Sequence, residues 1–156
     1  MGGHKTISST SREVVAAVPL SVWISPTSIY TPYEEWQDTP FLWDNNLSTY
    51  AICNVEPIEH SIVLDCLITP AIICPKIRFF CDLSQSGYFS TALVNVFYEG
   101  AWHNLGYFSI TLGVWIEINT LATTRAVSKA RVQFYNDDAL DSHTCKFTEF
   151  QFLKVL

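Results

Sequence analysis

Ala92-Leu93-Val94-Asn95-Val96-Phe97-Tyr98, then Glu99-Gly100, then Ala101-Trp102-His103-Asn104-Leu105, is the stretch whose reading decides the fold class. Two runs rich in β-branched and aromatic residues flank a two-residue break, and Gly100 supplies the positive φ that a tight hairpin turn demands. Working outward, the same period of two recurs in Ser61-Ile62-Val63-Leu64-Asp65-Cys66-Leu67-Ile68 and in Lys76-Ile77-Arg78-Phe79-Phe80-Cys81-Asp82-Leu83. It returns in Val114-Trp115-Ile116-Glu117-Ile118 and in Ala130-Arg131-Val132-Gln133-Phe134-Tyr135, with Ala130, Val132 and Phe134 inward and Arg131 and Gln133 outward. Lys146-Phe147-Thr148-Glu149-Phe150-Gln151-Phe152-Leu153 closes the chain in the same manner. No segment carries a capped helical stripe, so the chain reads as all-β: a two-sheet antiparallel β-sandwich of jelly-roll topology with an extended N-terminal arm. The arm spans residues 1–13 and a single sandwich domain spans 14–156. Arg125, Lys129, Arg131 and Lys154 are placed as charged guards of strand edges.

The N-terminal half is built differently. All seven prolines lie between 19 and 75. Pro26, Pro32 and Pro40 punctuate a Ser-, Thr- and Tyr-rich run, read as a long irregular excursion over the surface. Trp43-Asp44-Asn45-Asn46-Leu47-Ser48-Thr49-Tyr50 has the composition of a folded turn. Charge is segregated too. The net charge is −6, but Lys5 and Arg12 precede a section, 13–75, that holds acids and no base. A net acidic chain argues against a phosphate backbone as partner, so no nucleic acid is expected. The basic arm is expected to dock on an acidic surface of another subunit, which makes Lys5 and Arg12 partner-binding candidates. The five cysteines at 53, 66, 74, 81 and 145 form no C-x-x-C pair and no even disulfide framework. Cys66 and Cys81 fall on inward strand positions and read as small buried hydrophobes. Glu13 abuts the apolar run Val14–Ile24, which spoils it as a secretion signal, and no stretch reaches the ~18 apolar residues needed for a membrane span.

Few residues invite chemistry. Asp141, His143 and Cys145 alternate on one strand face, about 7 Å from one to the next at ~3.3 Å rise per residue, too far for a base to reach a nucleophile. The four histidines show no metal spacing, adjacent Glu34 and Glu35 cannot flank a glycosidic bond, and no glycine-rich phosphate loop exists. No catalytic residue and no obligatory cofactor is expected. Asp44, Asn46 and Thr49, with backbone carbonyls and Glu149, are candidates for a structural calcium, because hard cations need several oxygens at once. Trp36 and Trp43 sit in a polar loop and are the candidates for a contact with a partner or a glycan.

The order of these pieces resembles the galactose-binding-domain-like jelly rolls, including the discoidin or F5/8 type C modules. The resemblance rests on Asp44-Asn45-Asn46-Leu47-Ser48-Thr49-Tyr50, like that group's D-G-x-x-S-T-x-W turn, and on Ile62-Val63-Leu64-Asp65, like its I-x-L-D strand. It rests further on Lys76-Ile77-Arg78-Phe79, on Val94 to Trp102, like its V-x-V-S-x-D-G-x-W hairpin, on Ala130 to Tyr135, and on Glu149-Phe150. Asn45 replaces the turn glycine, Tyr50 the tryptophan, and the terminal cysteine pair is absent. Similar jelly rolls serve as glycan-binding modules and as virion proteins of tailed bacteriophages. With a basic arm, no secretion signal and no attached enzyme, the expected role is a non-enzymatic virion component (capsid, neck or tail), made in the host cytoplasm and acting through protein subunit contacts. The alternative is an extracellular glycan-binding module of carbohydrate-binding type.

Overall fold

The computed structural model describes residues 20–156. The expected arm, with Lys5 and Arg12, lies outside the described residues. A four-stranded sheet runs in the spatial order β1 (Ser21–Ile24), β12 (Glu149–Val155), β6 (Lys76–Phe80), β9 (Trp115–Asn119). Facing it, a six-stranded sheet runs β2 (Ser28–Tyr30), β5 (Leu64–Ile73), β10 (Ala126–Asn136), β7 (Thr91–Tyr98), β8 (Ala101–Ser109), with β4 (Glu59–His60) paired to the end of β10. β3 (Ala51–Val55) and β11 (His143–Phe147) form a small third sheet. The paired strands of all three sheets are antiparallel. This is the all-β jelly-roll sandwich that the alternating pattern predicts.

The deciding hairpin forms as read. Tyr98 pairs with Ala101 across Glu99 and Gly100, whose φ values of 53° and 74° give the turn both positive-φ residues that a two-residue connection needs. Side chains then sort by parity: Ala92, Val94, Val96 and Tyr98 on β7, and Ala130, Val132 and Phe134 on β10, are buried.

Four aromatic rings tie the layers together. Phe79 comes from β6, Phe134 from β10, Phe147 from β11, and Trp36 from the loop that the sequence reading left irregular. Phe134 and Phe147 are 5.0 Å apart between ring centroids, and Phe79 lies 6.1 Å from each. Trp36 packs on Phe134 at 6.1 Å and on Phe147 at 6.3 Å. Edge-to-face geometry of this kind is favoured by the ring quadrupoles. Its indole nitrogen donates to the Ile62 carbonyl at 2.8 Å, so the polar tip is satisfied inside the core.

Three details depart from the sequence reading. The last alternating run is two strands, β11 and β12, which belong to different sheets. Thr148 makes the corner: its amide donates to the Phe80 carbonyl, and its hydroxyl accepts from the Asp82 amide at 3.0 Å. The excursion at 26–46 contains β2 and two short 3-10 turns, Pro32–Glu34 and Thr39–Trp43. Lys129, Arg131 and Lys154 do not guard edges, because β10 and β12 are interior strands. Arg131 instead forms a two-pronged pair with buried Asp65 at 2.7 and 3.0 Å and stacks on Trp102 at 4.2 Å.

Phe134→Ala is expected to cost about 3–5 kcal/mol, because the cavity it opens touches all three sheets. Trp36→Phe keeps the ring but leaves the Ile62 carbonyl unpaired, a loss of about 1–3 kcal/mol. Urea denaturation of both variants beside the parent measures these losses, and a Phe134→Ala loss below that of Trp36→Phe contradicts this picture of the core.

Candidate functional site

Trp36 fixes the geometry of its own loop. With the indole buried, Gln37 is held in a bridge to Ile52 through amide to carbonyl bonds of 2.8 and 3.0 Å, which draws the 32–38 segment against β3. The backbone there is strained: Tyr33, Glu34 and Asp38 have φ values of 61°, 52° and 59°, and Ile58, across the neighbouring turn, 55°. Non-glycine residues in the left-handed region gather where function demands a shape the chain would not otherwise take. Here they frame a cleft of about 490 Å³, lined by Glu34, Glu35, Gln37, Asn54, Val55, Glu56, Glu59, His60 and Ile62, a volume within the range of small-ligand sites.

The far wall is pinned from within. Asn136 is buried, and its amide group donates to the carbonyls of Val55, Glu56 and Asp141 at 3.0, 3.2 and 3.0 Å. The Glu56 carboxylate accepts from Ser142 at 2.9 Å. His60 carries the rim outward: its Nε2 is 3.2 Å from the Tyr107 hydroxyl, and its ring lies 4.9 Å from that of Tyr135. Tyr107 is 59% exposed, and Tyr33, next to Glu34, is 84% exposed. The lining has four carboxylates and two side-chain amides, with no lysine or arginine among them.

A second cluster gathers the residues read as calcium candidates. Asp44 accepts from the Asn46 amide at 2.9 Å and from the Thr49 hydroxyl at 2.5 Å, and Asn46 accepts from the Ser48 amide at 2.9 Å. So the turn forms as expected. Glu149 joins it from β12, 0% exposed, with neither carboxyl oxygen hydrogen-bonded. Burial pushes the Glu149 carboxyl up, and neighbouring Asp44 adds to this, taking it to about 8; the amides of Asn45 and Asn46 pull the other way without completing a bond. Burial raises the Asp44 carboxyl as well, but the Thr49 hydroxyl, the neighbouring Glu149 carboxyl and the Asn46 amide outweigh it and hold Asp44 below its ordinary value. Glu149, buried beside the solvent-exposed carboxylate of Asp44, is favoured in its protonated form or next to a cation. Among the described residues no group of three or more His, Cys, Asp or Glu assembles. The donor set of two carboxylates with amide and hydroxyl oxygens suits a hard cation such as calcium rather than zinc.

The remaining candidates are dispersed. Trp36, expected as a contact residue, is 4% exposed and is a core residue, because its ring fills the space between the sheets. Trp43 is half-buried at the end of its 3-10 turn. Trp23 and Trp115 flank Arg78 at 4.2 and 4.1 Å, and Trp102 carries Arg131. His143 pairs with Asp138 at 2.7 Å and stacks on Tyr88 at 4.4 Å. Cys145 is fully buried and its thiol is pushed far up, first by burial. No nucleophile, base and orienting group converge among these. The sequence reading missed the cleft, although its signal was present: four of the acids of the base-free 13–75 section, Glu34, Glu35, Glu56 and Glu59, line it.

No family model matches the sequence, and no characterised protein matches it in sequence either. Solved structures do match in fold. The F5/8 type C domain of a Bacteroides fragilis protein superposes with TM-score 0.57 at 10% identity, over 86% of this chain and 91% of that one. The CBM32 of AlyQ, in complex with 4,5-unsaturated mannuronic acid, gives 0.59 at 8% identity, over 84% and 97%. The family 32 CBM of NanJ from C. perfringens, in complex with galactose, gives 0.55 at 8% identity, over 86% and 93%. A truncated AlyQ with CBM32 and alginate lyase domains matches at 0.60 and 8% identity over 88% of this chain, which spans 34% of that longer one.

The fold is that of the discoidin and CBM32 jelly rolls. The expectation of a bacteriophage virion component, capsid, neck or tail, is overturned: these neighbours are F5/8 type C and carbohydrate-binding modules, and nothing in the likeness leads to a virion. The virion location falls with it. Among the described residues no helix is long and apolar enough to cross a membrane.

Buried Glu149 yields a signed prediction. In chelator-treated protein the raised Glu149 carboxyl lets the folded state keep a proton that the unfolded state releases above its ordinary value of 4.5. The stabilisation it provides is complete below pH 4.5 and lost as pH rises through about 8. Tm of the metal-free protein should fall over that window, Glu149→Gln should flatten the fall, and calcium at pH 8 should raise Tm of the parent but not of the variant. Identical pH profiles for parent and variant would falsify the pairing.

Proposed function

We propose that this domain is a carbohydrate-binding module whose sugar sits in the cleft between the 32–38 segment and the β3–β4 turn. The observation that carries this reading is the composition of the cleft. Its lining holds four carboxylates and two side-chain amides, and exposed tyrosines adjoin lining residues, Tyr33 next to Glu34 in the chain and Tyr107 bonded to His60. Such a set stacks the apolar face of a pyranose and hydrogen-bonds its hydroxyls. The fold neighbours support it, since the NanJ module was solved with galactose and the AlyQ module with an unsaturated mannuronic acid. An extracellular place of action goes with this role.

Each group has a part. Tyr33 and Tyr107 supply stacking surfaces. Gln37 and Asn54 donate to ring or hydroxyl oxygens, and Glu34, Glu35 and Glu59 accept from hydroxyls. Asn136 and buried Trp36 hold the two walls, so little ordering cost is left for the binding step. Four carboxylates with no facing base repel a uronate, so the preferred ligand is a neutral or amino sugar, unlike the acid held by the AlyQ module. At the second cluster Asp44 and Glu149, with Asn46 and Thr49, would hold calcium. The ion would supply positive charge that fastens the 44–49 turn to β12, a structural role away from the sugar.

A glycan array followed by titration of the best ligand tests this. Binding should favour neutral or amino sugars over uronates. Tyr33→Ala should weaken binding about tenfold, equivalent to about 1.4 kcal/mol, with Tm unchanged because the ring is solvent-exposed. Retention of the ligand at full affinity by Tyr33→Ala, together with Glu35→Gln, would place the sugar elsewhere.

A further inference from the structure

We propose that Cys53 and Cys145 are a redox site, joined as a cross-strand disulfide when the chain folds in the presence of a disulfide oxidant. The two residues are direct partners at the centre of the five-pair register of β3 and β11. The burial alternation of the two strands turns both side chains to the same inward face, and they are 2% and 0% exposed. Directly opposed residues of antiparallel strands hold their Cα atoms about 4.5–5.5 Å apart. A disulfide needs about 4.4–6.8 Å, so the backbone already provides the spacing.

The other thiols lack this relation. Cys66 on β5 faces Ile29 and Ala130, and Cys74 donates to the Lys76 carbonyl at 3.0 Å. Cys81 lies near Cys145 but is not its strand partner, which makes it the competing donor. The place of the link gives it consequence. A two-stranded sheet is marginal by itself, and the β11 backbone is held from outside the sheet by Gln85, which accepts from the Lys146 amide and donates to its carbonyl, each at 2.8 Å. β3 runs straight from Cys53 into Asn54, Val55 and Glu56 of the cleft wall. A bond at 53 stiffens that wall.

The chemistry balances with glutathione disulfide as oxidant. One thiolate attacks it, forming a mixed disulfide and releasing one glutathione thiol. The second protein thiolate then attacks the protein sulfur, forming the S–S bond and releasing the second glutathione. Two electrons pass from the cysteines to the oxidant, and the two thiol protons end on the two glutathiones. Burial pushes the Cys53 thiol up to about 11, which suppresses thiolate in the folded state, so the exchange belongs to folding, before the sheet closes.

The test is to refold the full chain in a glutathione redox buffer and, in parallel, in dithiothreitol. Both samples are then denatured, alkylated with N-ethylmaleimide, digested and weighed. The oxidised sample should carry three adducts and a linked peptide containing Cys53 and Cys145. Its Tm should stand roughly 10 °C above the reduced sample, as closing a loop of about 90 residues implies. Cys81→Ala should keep the link, and Cys53→Ala should lose both the link and the Tm gain. Five adducts after oxidative refolding, or a link between Cys81 and Cys145, overturns the proposal. The readout uses no sugar, so the assignment stands or falls independently of the cleft.

Discussion

The contact between Trp36, Phe79, Phe134 and Phe147 is the constraint on which the rest of the molecule depends. Each ring arrives on a different segment, and no two of the three sheets could separate without losing edge-to-face contacts and exposing large apolar area. The same indole that closes the core holds the loop beside it. Burying Trp36 places Glu34, Glu35 and Gln37 at a fixed distance from β3, and the cleft is the space left over. Core and candidate binding site are therefore one packing problem, in which a large side chain taken inward leaves its neighbours strained and outward-facing.

Polar groups follow the same economy. Asp65 is affordable inside because Arg131 meets it with two bonds, and Asn136 because its amide finds three carbonyls. Asp44 and Glu149 have no such base, and β12 brings Glu149 to the turn with both oxygens unpaired. A fold that spends a buried carboxylate without a partner needs a proton or a cation there.

Much of the strand pattern was readable beforehand. The 92–105 hairpin, the inward side of β10 and the central part of β6 follow from parity, because one face of each strand meets the core and the other meets water. The 44–49 turn was legible as well, since Asp, Asn and Thr at that spacing bond to their own backbone. The switch at Thr148 was not, because an alternating run has the same pattern whether it stays in one sheet or changes sheet. Nor was the loop: Trp36 amid glutamates reads as exposed on local polarity, and only the partners waiting in the core reverse that. Arg131 likewise reads as an edge charge until β10 is seen to lie between β5 and β7.

What the sequence by itself determined is thus the period, and with it the fold class, one hairpin and one turn, because these depend on residues close along the chain. The tertiary structure alone decided which strands are neighbours. That brought Glu149 to Asp44, Cys53 opposite Cys145, and four acids from two distant segments into one cleft, since contacts between remote residues are set by how the layers pack and leave no local mark in the order of residues.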